Sequence, residues 1–515
     1  MKNYLKNISI VFLLGITFQD PLLATDFCHQ RISQIFKKSS VMDVSRTEKS
    51  LMYISTPQSK RDIINTILIA RMRRLNVTVL GTNHTHGGHN RKSDINGLPS
   101  AVQIDMSKMN KILGMDISKK LVAVEPGVTW KELAIYLNKF GLAARTEQSS
   151  NIFSIGGSVA TNVHGRDVYG PLINSIESIK YIDGNGFEHF VSRSRNHQLF
   201  RAIVGGYGGF GVMTEVVLRV EKNFIYEAHS TLDIPVDQYK DYLIKFGKRA
   251  KHEMHYGRVN ISGENAFEKV SFVEWRPVSS EVTDRMNEAI FQMKSEEKNR
   301  FASSMIMNTM RFKPSSNAGK KIKDYLDKMF GLPKTGMRMS KNNILNNPVQ
   351  FLFDNFYNKS QSVDILQEYF LPVEAMDLFF KKIKQVNVDY DLNLLNVTMR
   401  FIPKIERVDD SLLTPYSAKH DQVAIVLYYN ISEINGKNNG DLVDYNGSAW
   451  TQELIREAQL RGGTFYLPYH RWWSEDQIQT QSANEIKEYF KLKDQYDSKN
   501  MFESDFLKEL RKTNH

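Results

Sequence analysis

Val124 to Pro171 reads VEPGVTWKELAIYLNKFGLAARTEQSSNIFSIGGSVATNVHGRDVYGP. A strand runs into Pro126 and Gly127. A helix follows whose apolar positions Trp130, Leu133, Leu137 and Phe140 recur at helical spacing before Gly141 ends it. Downstream, Ser154 precedes Gly156 and Gly157 at a second helix start. A helix start offers backbone N–H groups without intrahelical partners, and glycines there put no side chain between those groups and an anion. The stretch predicts a small-residue turn suited to a phosphate.

A second turn of the same kind lies upstream. GTNHTHGGHN, Gly81–Asn90, follows the short apolar strand Val77–Leu80 and holds Gly81, Gly87 and Gly88 together with His84, His86 and His89. Glycines let successive amides approach an anion closely enough to form a nest for a pyrophosphate. The three imidazoles also fit a zinc or copper protein, which stays a third reading of the chain. No acidic or cysteine ligand stands beside them, and coordination needs no flanking glycines, so a metal is not expected. Two such turns at strand ends point to one diphosphate more specifically than either alone.

Outward from these turns, Ser50 to Val220 alternates short β-rich runs with amphipathic helices, an α/β or α+β layering. Ser55 and Pro57 predict the start of a helix carrying Ile64, Ile67, Leu68, Met72 and Leu75 on its apolar stripe. Beyond Asn223 the segments lengthen and glycines thin out, which predicts a second domain. A basic stretch, 294–346, holds Lys320, Lys321, Lys323, Lys334 and Lys341. It reads as a surface-facing insert: a solvated helical hairpin, or a peripheral contact with anionic membrane head groups. The expected division is 1–24 leader, 45–222 first domain, 223–462 second domain, and 463–515 returning to the first.

The chain of 515 residues carries a formal charge of +11, but its Lys and Arg residues are spread along the sequence, so nucleic acid is not an expected partner. Lys2 and Lys6 precede an apolar run from Ile8 to Phe18, and small or turn residues continue to Ala24. That is the layout of a secretory signal, too short for the roughly twenty apolar residues of a membrane span. An exported protein, periplasmic or secreted, is expected; N-terminal sequencing that found Met1 on the mature chain would overturn this. Cys28, the single cysteine, cannot form an internal disulfide.

The motifs together resemble the FAD-linked oxidoreductases of the vanillyl-alcohol-oxidase, p-cresol-methylhydroxylase and cytokinin-dehydrogenase type. Their Gly-x-Gly-His-Ser loop is similar to Gly81, Asn83, His84 and Thr85, with Asn83 where a glycine usually stands and Thr85 in place of serine. Their Pro-Gly and Gly-Gly-x-x-x-x-Asn-x-x-Gly signatures resemble Pro126, Gly127, Gly156, Gly157, Asn162 and Gly165. A glycine run leading into Thr-Glu-Val resembles Gly205–Gly211 with Thr214 and Glu215, and a C-terminal element resembles Phe490, Lys493, Tyr496, Asp497 and Phe502. Gly206, Gly208 and Gly211 also satisfy GxGxxG spacing. The β-rich run Val212–Val220 follows them where a Rossmann site needs a helix, so they read instead as backbone close to the flavin.

The resemblance implies a two-subdomain FAD-binding fold with a separate α+β substrate (cap) domain. It implies FAD held by Gly81, Thr82, Asn83, His84, Thr85, Gly127, Ser154, Gly156, Gly157, Thr161, Asn162, His164, Gly211 and Val212, bound covalently through His84 or noncovalently. It implies hydride transfer from an alcohol, sugar, lactone or amine carbon of a small substrate, with a lean toward a cell-envelope sugar or lipid-linked molecule. Oxidase and dehydrogenase stay equally open. Arg400 or His470 would supply a cation near the ring, and Tyr466 or Tyr469 would orient or deprotonate a hydroxyl. The alternative is a catalytically inactive flavin-fold binding protein of the cell envelope.

Overall fold

The computed structural model describes residues 35–42, 49–262, 266–278, 293, 300–311, 316–326, 332–346, 362–406, 410–417, 419–432 and 447–514. The expected leader 1–24, Cys28 and parts of the basic stretch 294–346 lie outside the described residues.

Among the described residues the first of three sheets holds β1 (Lys37–Met42), β2 (Lys49–Ser55), β3 (Asn76–Leu80) and β4 (Ala101–Asp105), in the order β1-β2-β4-β3. β2 and β3 both run parallel to β4. A parallel pair needs a crossover, supplied between β2 and β3 by α1 (Lys60–Met72). The helix starts later than Ser55 and Pro57 predict, because Ser55 still pairs with Ile104 in the sheet and Ser59 is the residue whose side chain caps the Asp62 N–H. Its buried stripe is Ile63, Thr66, Ile67 and Ala70, while Leu68 and Met72 face outward.

The second sheet is antiparallel. It is built from β5 (Ile112–Asp116), β6 (Leu121–Val124), β7 (Leu142–Ala144), β8 (Ile176–Ile182), β9 (Glu188–Ser192) and β10 (Val212–Lys222), in the order β5-β6-β10-β8-β9 with β7 on β10. Helices α2 (Trp130–Asn138), α3 (Ile155–Thr161) and α4 (His197–Ile203) connect its strands. Thr129 and Glu132 close a capping box at the start of α2, which buries Trp130, Leu133 and Leu137, whereas Phe140 lies beyond its end and is exposed.

The third sheet has eight strands: β11 (Ile225–Pro235), β12 (Met254–Val259), β13 (Lys269–Pro277), β14 (Arg338–Ser340), β15 (Ser362–Pro372), β16 (Asn393–Ile402), β17 (Gln422–Ser432) and β18 (Thr464–Phe465). Their order is β14-β11-β13-β12-β16-β17-β15-β18. Helices α5 (Val236–Arg249), α6 (Arg300–Arg311), α7 (Ser316–Leu326), α8 (Lys341–Leu345), α9 (Met376–Asp389) and α10 (Gly447–Leu460) accompany it. Strand alternation divides its residues: Val397, Met399 and Phe401 of β16 enter the core with Phe246 of α5 and Phe379 of α9, while Thr398 and Arg400 line a cavity on the opposite face.

Two final helices, α11 (Glu475–Tyr496) and α12 (Asp505–Lys512), return to the first part of the chain. The Val77 N–H donates to the Met501 carbonyl at 2.7 Å, and Met501 and Phe502 complete the core of the first sheet. The basic stretch presents fewer free cations than its sequence suggests. Lys341 is buried against Glu221 and the Arg145 carbonyl, Lys320 is buried, and Lys321 and Lys334 are exposed. Among the described residues no helix is long and apolar enough to cross a membrane.

Candidate active site

Between the first two sheets and the open face of the third lies a cavity of about 730 Å³, within the range of small-molecule and cofactor sites. One wall is the loop after β3 and the start of α3; the other is the strand face carrying Tyr256, Arg258, Glu368, Thr398 and Arg400.

The two glycine-bearing turns meet. A Cβ on Gly81 would stand 2.2 Å from Ser154 Oγ, so a side chain there would have to displace the hydroxyl that caps α3. Ser154 caps α3 by accepting from the Gly157 N–H at 3.3 Å, and Gly157, Ser158 and Thr161 line the cavity above it. Asn83 has φ +58°, the left-handed region where glycine, then asparagine, is tolerated; this accounts for asparagine at a position usually held by glycine. Its Oδ1 accepts from Asn90 Nδ2 at 3.0 Å, while Asn90 Oδ1 accepts from Thr85 Oγ1 at 3.0 Å, which closes the loop on itself.

His84 lines the cavity edge-on to Phe153, its Nδ1 3.1 Å from Thr82 Oγ1, and burial pushes its imidazole down to about 4. His86 and His89 are lowered to about 3, again chiefly by burial, so all three are neutral at pH 7. Their rings contact different aromatic residues: Phe153, Tyr469 and Tyr207 respectively. Among the described residues no group of three or more His, Cys, Asp or Glu side chains is placed to hold a metal ion.

On the opposite wall Glu368, from β15, forms the centre of a polar chain. His164 Nε2 lies 2.7 Å from its Oε1, and Tyr469 Oη donates to its Oε2 at 3.2 Å. Tyr466 Oη donates to the Thr161 carbonyl at 2.7 Å, tying the C-terminal segment to α3. Burial raises both phenols well above the usual tyrosine range, so they are hydrogen-bond donors rather than bases. Arg400 Nη2 donates to Ser149 Oγ at 3.0 Å and Nη1 to the Met399 carbonyl at 2.8 Å. Burial and the neighbouring Arg166 lower this guanidinium to about 9, which leaves it a cation at pH 7.

The cavity is thus lined by Gly81, Thr82, Asn83, His84, Thr85, Ser154, Gly157, Thr161, His164, Arg400, Tyr466 and Tyr469. Gly127, Gly156, Asn162, Gly211, Val212 and His470 stand outside that lining. Gly127 and Gly156 are tight-packing positions instead: added Cβ atoms would stand 2.1 Å from the Met106 carbonyl and 2.7 Å from Pro126 Cβ. Asn162 is a left-handed cap whose Oδ1 accepts from the Ile173 N–H. Gly211 and Val212 pack against Ile182 at the start of β10. His470 is buried beside Trp472 and His86, and desolvation holds it neutral, so it supplies no cation.

Sequence reasoning passed over Glu368, Arg166, Arg258 and Tyr256. Glu368, Tyr256 and Arg258 lie in strands, where alternation within LQEYFLP and MHYGRV is the only local sign that they face away from the core, and Arg166 lies in the segment after α3, which carries no such sign.

Residues 52–191 match the model of a family described as "FAD binding domain". Over 174 residues the chain is 30% identical to a putative D-arabinono-1,4-lactone oxidase of Neurospora crassa, covering 34% of this chain and 30% of the relative. Over 169 residues it is 30% identical to L-gulonolactone oxidase of Bos taurus, covering 33% and 37%. The chain therefore matches about a third of the length of these curated relatives. A solvent-stable cholesterol oxidase superposes with a TM-score of 0.70 over 92% of this chain and 97% of that one, at 12% identity, a likeness of fold.

Proposed function

With FAD-binding architecture of the vanillyl-alcohol-oxidase type as its basis, we propose that the protein oxidises a CH–OH carbon of a small molecule. The carrying observation is one continuous cavity that joins the Gly81–Thr85 loop and α3 to Glu368 and Arg400 on the third sheet. Gly81, Ser154 and Gly157 form a wall without bulky side chains, which fits a diphosphate, and His84, which lines the same cavity, holds the motif position of the histidine that bonds the ring in covalent members. FAD supplies the hydride acceptor when bound.

The chain's own groups manage the proton. Glu368, the acceptor of the polar chain, takes the substrate hydroxyl proton, and Tyr469 and His164 hold its two oxygens in position. Arg400 stabilises the negative charge that develops on the substrate oxygen as its proton leaves. The test is Glu368→Gln, which keeps the shape and removes the base. FAD content should be unchanged, and anaerobic flavin reduction by a turned-over substrate should slow roughly 10²–10⁴-fold. An unchanged reduction rate removes Glu368 from this role.

A further inference from the structure

We infer that the substrate carries an oxyanion, a carboxylate or a phosphate, held between Arg166 and Arg400 on the face of Tyr256. The inference rests on the flavin reading and specifies the substrate class of the same cavity.

The geometry is unusual for two cations. Tyr256 projects from β12 into the cavity, with the Arg166 guanidinium 4.7 Å and the Arg400 guanidinium 5.6 Å from its ring centroid. Arg166 reaches the spot from the segment after α3, fixed there because its carbonyl accepts from the His255 N–H at 2.7 Å. Arg400 is 6% exposed, and its hydrogen bonds go to a serine hydroxyl and a backbone carbonyl, both neutral. Arg166 Nε is buried and makes no hydrogen bond. Among the described residues neither guanidinium makes an ion pair with a carboxylate.

Like charges brought together away from water repel unless a counter-charge joins them. The nearby carboxylates act on them only through space, Glu368 on Arg400 and Glu147 on Arg166, without a direct ion pair. Glu368 is occupied by His164 and Tyr469, and burial lifts Glu147 to about 8, which favours its neutral form. Arg258 lines the same wall two residues beyond Tyr256 and adds to the positive field. Guanidinium forks match the planar oxygen pairs of carboxylate and phosphate, and the flavin-side wall of loop and small residues offers no such pair. An anion docked here leaves Glu368 facing the substrate's hydroxyl-bearing carbon. This differs from an uncharged lactone.

The test uses the FAD-loaded full chain under anaerobic conditions. It is titrated with glycolate, glycerol 3-phosphate and uncharged glycerol while the flavin spectrum is recorded. At least one anion should perturb or bleach the flavin at concentrations where glycerol does nothing, with binding that weakens as salt is raised. Glycolate alone assigns a carboxylate; glycerol 3-phosphate alone assigns a phosphate. Arg166→Gln and Arg400→Gln should each weaken anion binding about tenfold or more, with Arg166→Lys recovering part of the loss.

The inference falls if glycerol binds as well as the anions. It also falls if the glutamine variants bind anions normally and only shift the flavin reduction potential, which would assign the arginines to the cofactor. Should either variant fail to fold, the anion-over-glycerol preference of the unaltered chain still decides. A chain that binds no FAD instead overturns the underlying functional reading.

Discussion

At the residue scale, conformation accounts for a departure that looks like a defect in the sequence. Asn83 replaces a glycine of the family pattern, and its φ of +58° places it where asparagine is the next best choice. The loop therefore keeps its course and leaves His84 at the cavity wall, neutral because burial lowers it to about 4. A neutral imidazole at this place suits a covalent bond to the flavin. Acid-precipitated protein should keep its yellow colour in the pellet, and His84→Ala should release the colour to the supernatant. Colour in the supernatant of the unaltered protein contradicts the attachment. His84, Gly81 and Ser154 were legible because glycine and histidine clusters after a strand have few alternative uses. Glu368 and Arg166 were not, since their partners come from distant parts of the chain: Glu368 meets His164 and Tyr469, and Arg166 meets Tyr256.

At the element scale, the glycine run after α4 has a packing job that its sequence did not suggest. It lies beneath α11. Tyr489 Oη donates to the Gly206 carbonyl at 2.7 Å, and a Cβ on Gly209 would stand 2.1 Å from the Tyr489 Oη itself. Lys493, one helical turn on, is fully buried and satisfies its ammonium with the Gly209 carbonyl at 2.7 Å, Asp497 at 2.7 Å and the Phe502 carbonyl at 2.9 Å. The C-terminal Phe-x-x-Lys-x-x-Tyr-Asp element is thus the clamp that the glycines accept. Lys493→Met leaves Asp497 without its cation and should cost about 3–5 kcal/mol in denaturant unfolding; a loss below about 1 kcal/mol would show that the clamp contributes little. Both motifs were visible in the sequence. Their contact was not, because spacing along a chain does not show which distant segment approaches a loop.

At the scale of the whole molecule, the functional cavity belongs to no single sheet. The FAD-side wall comes from the first third of the chain, the strand face with Arg400 and Glu368 from the third sheet, and Tyr466 and Tyr469 from the segment beyond β18. A layered mix of strands and helices could be read from alternating β-rich and helical patterns and a diphosphate from two glycine-bearing turns, while the α+β fold and FAD followed from the family resemblance. The substrate side could not, because eight strands must pair in a non-sequential order before its residues share a face. Flavin-dependent oxidation is tested most directly by the absorbance of purified full-length protein after incubation with FAD, followed by anaerobic addition of hydroxylated substrates. Flavin bands at one FAD per chain should appear and bleach with at least one such donor; a colourless protein that takes up no FAD would overturn the proposed oxidation.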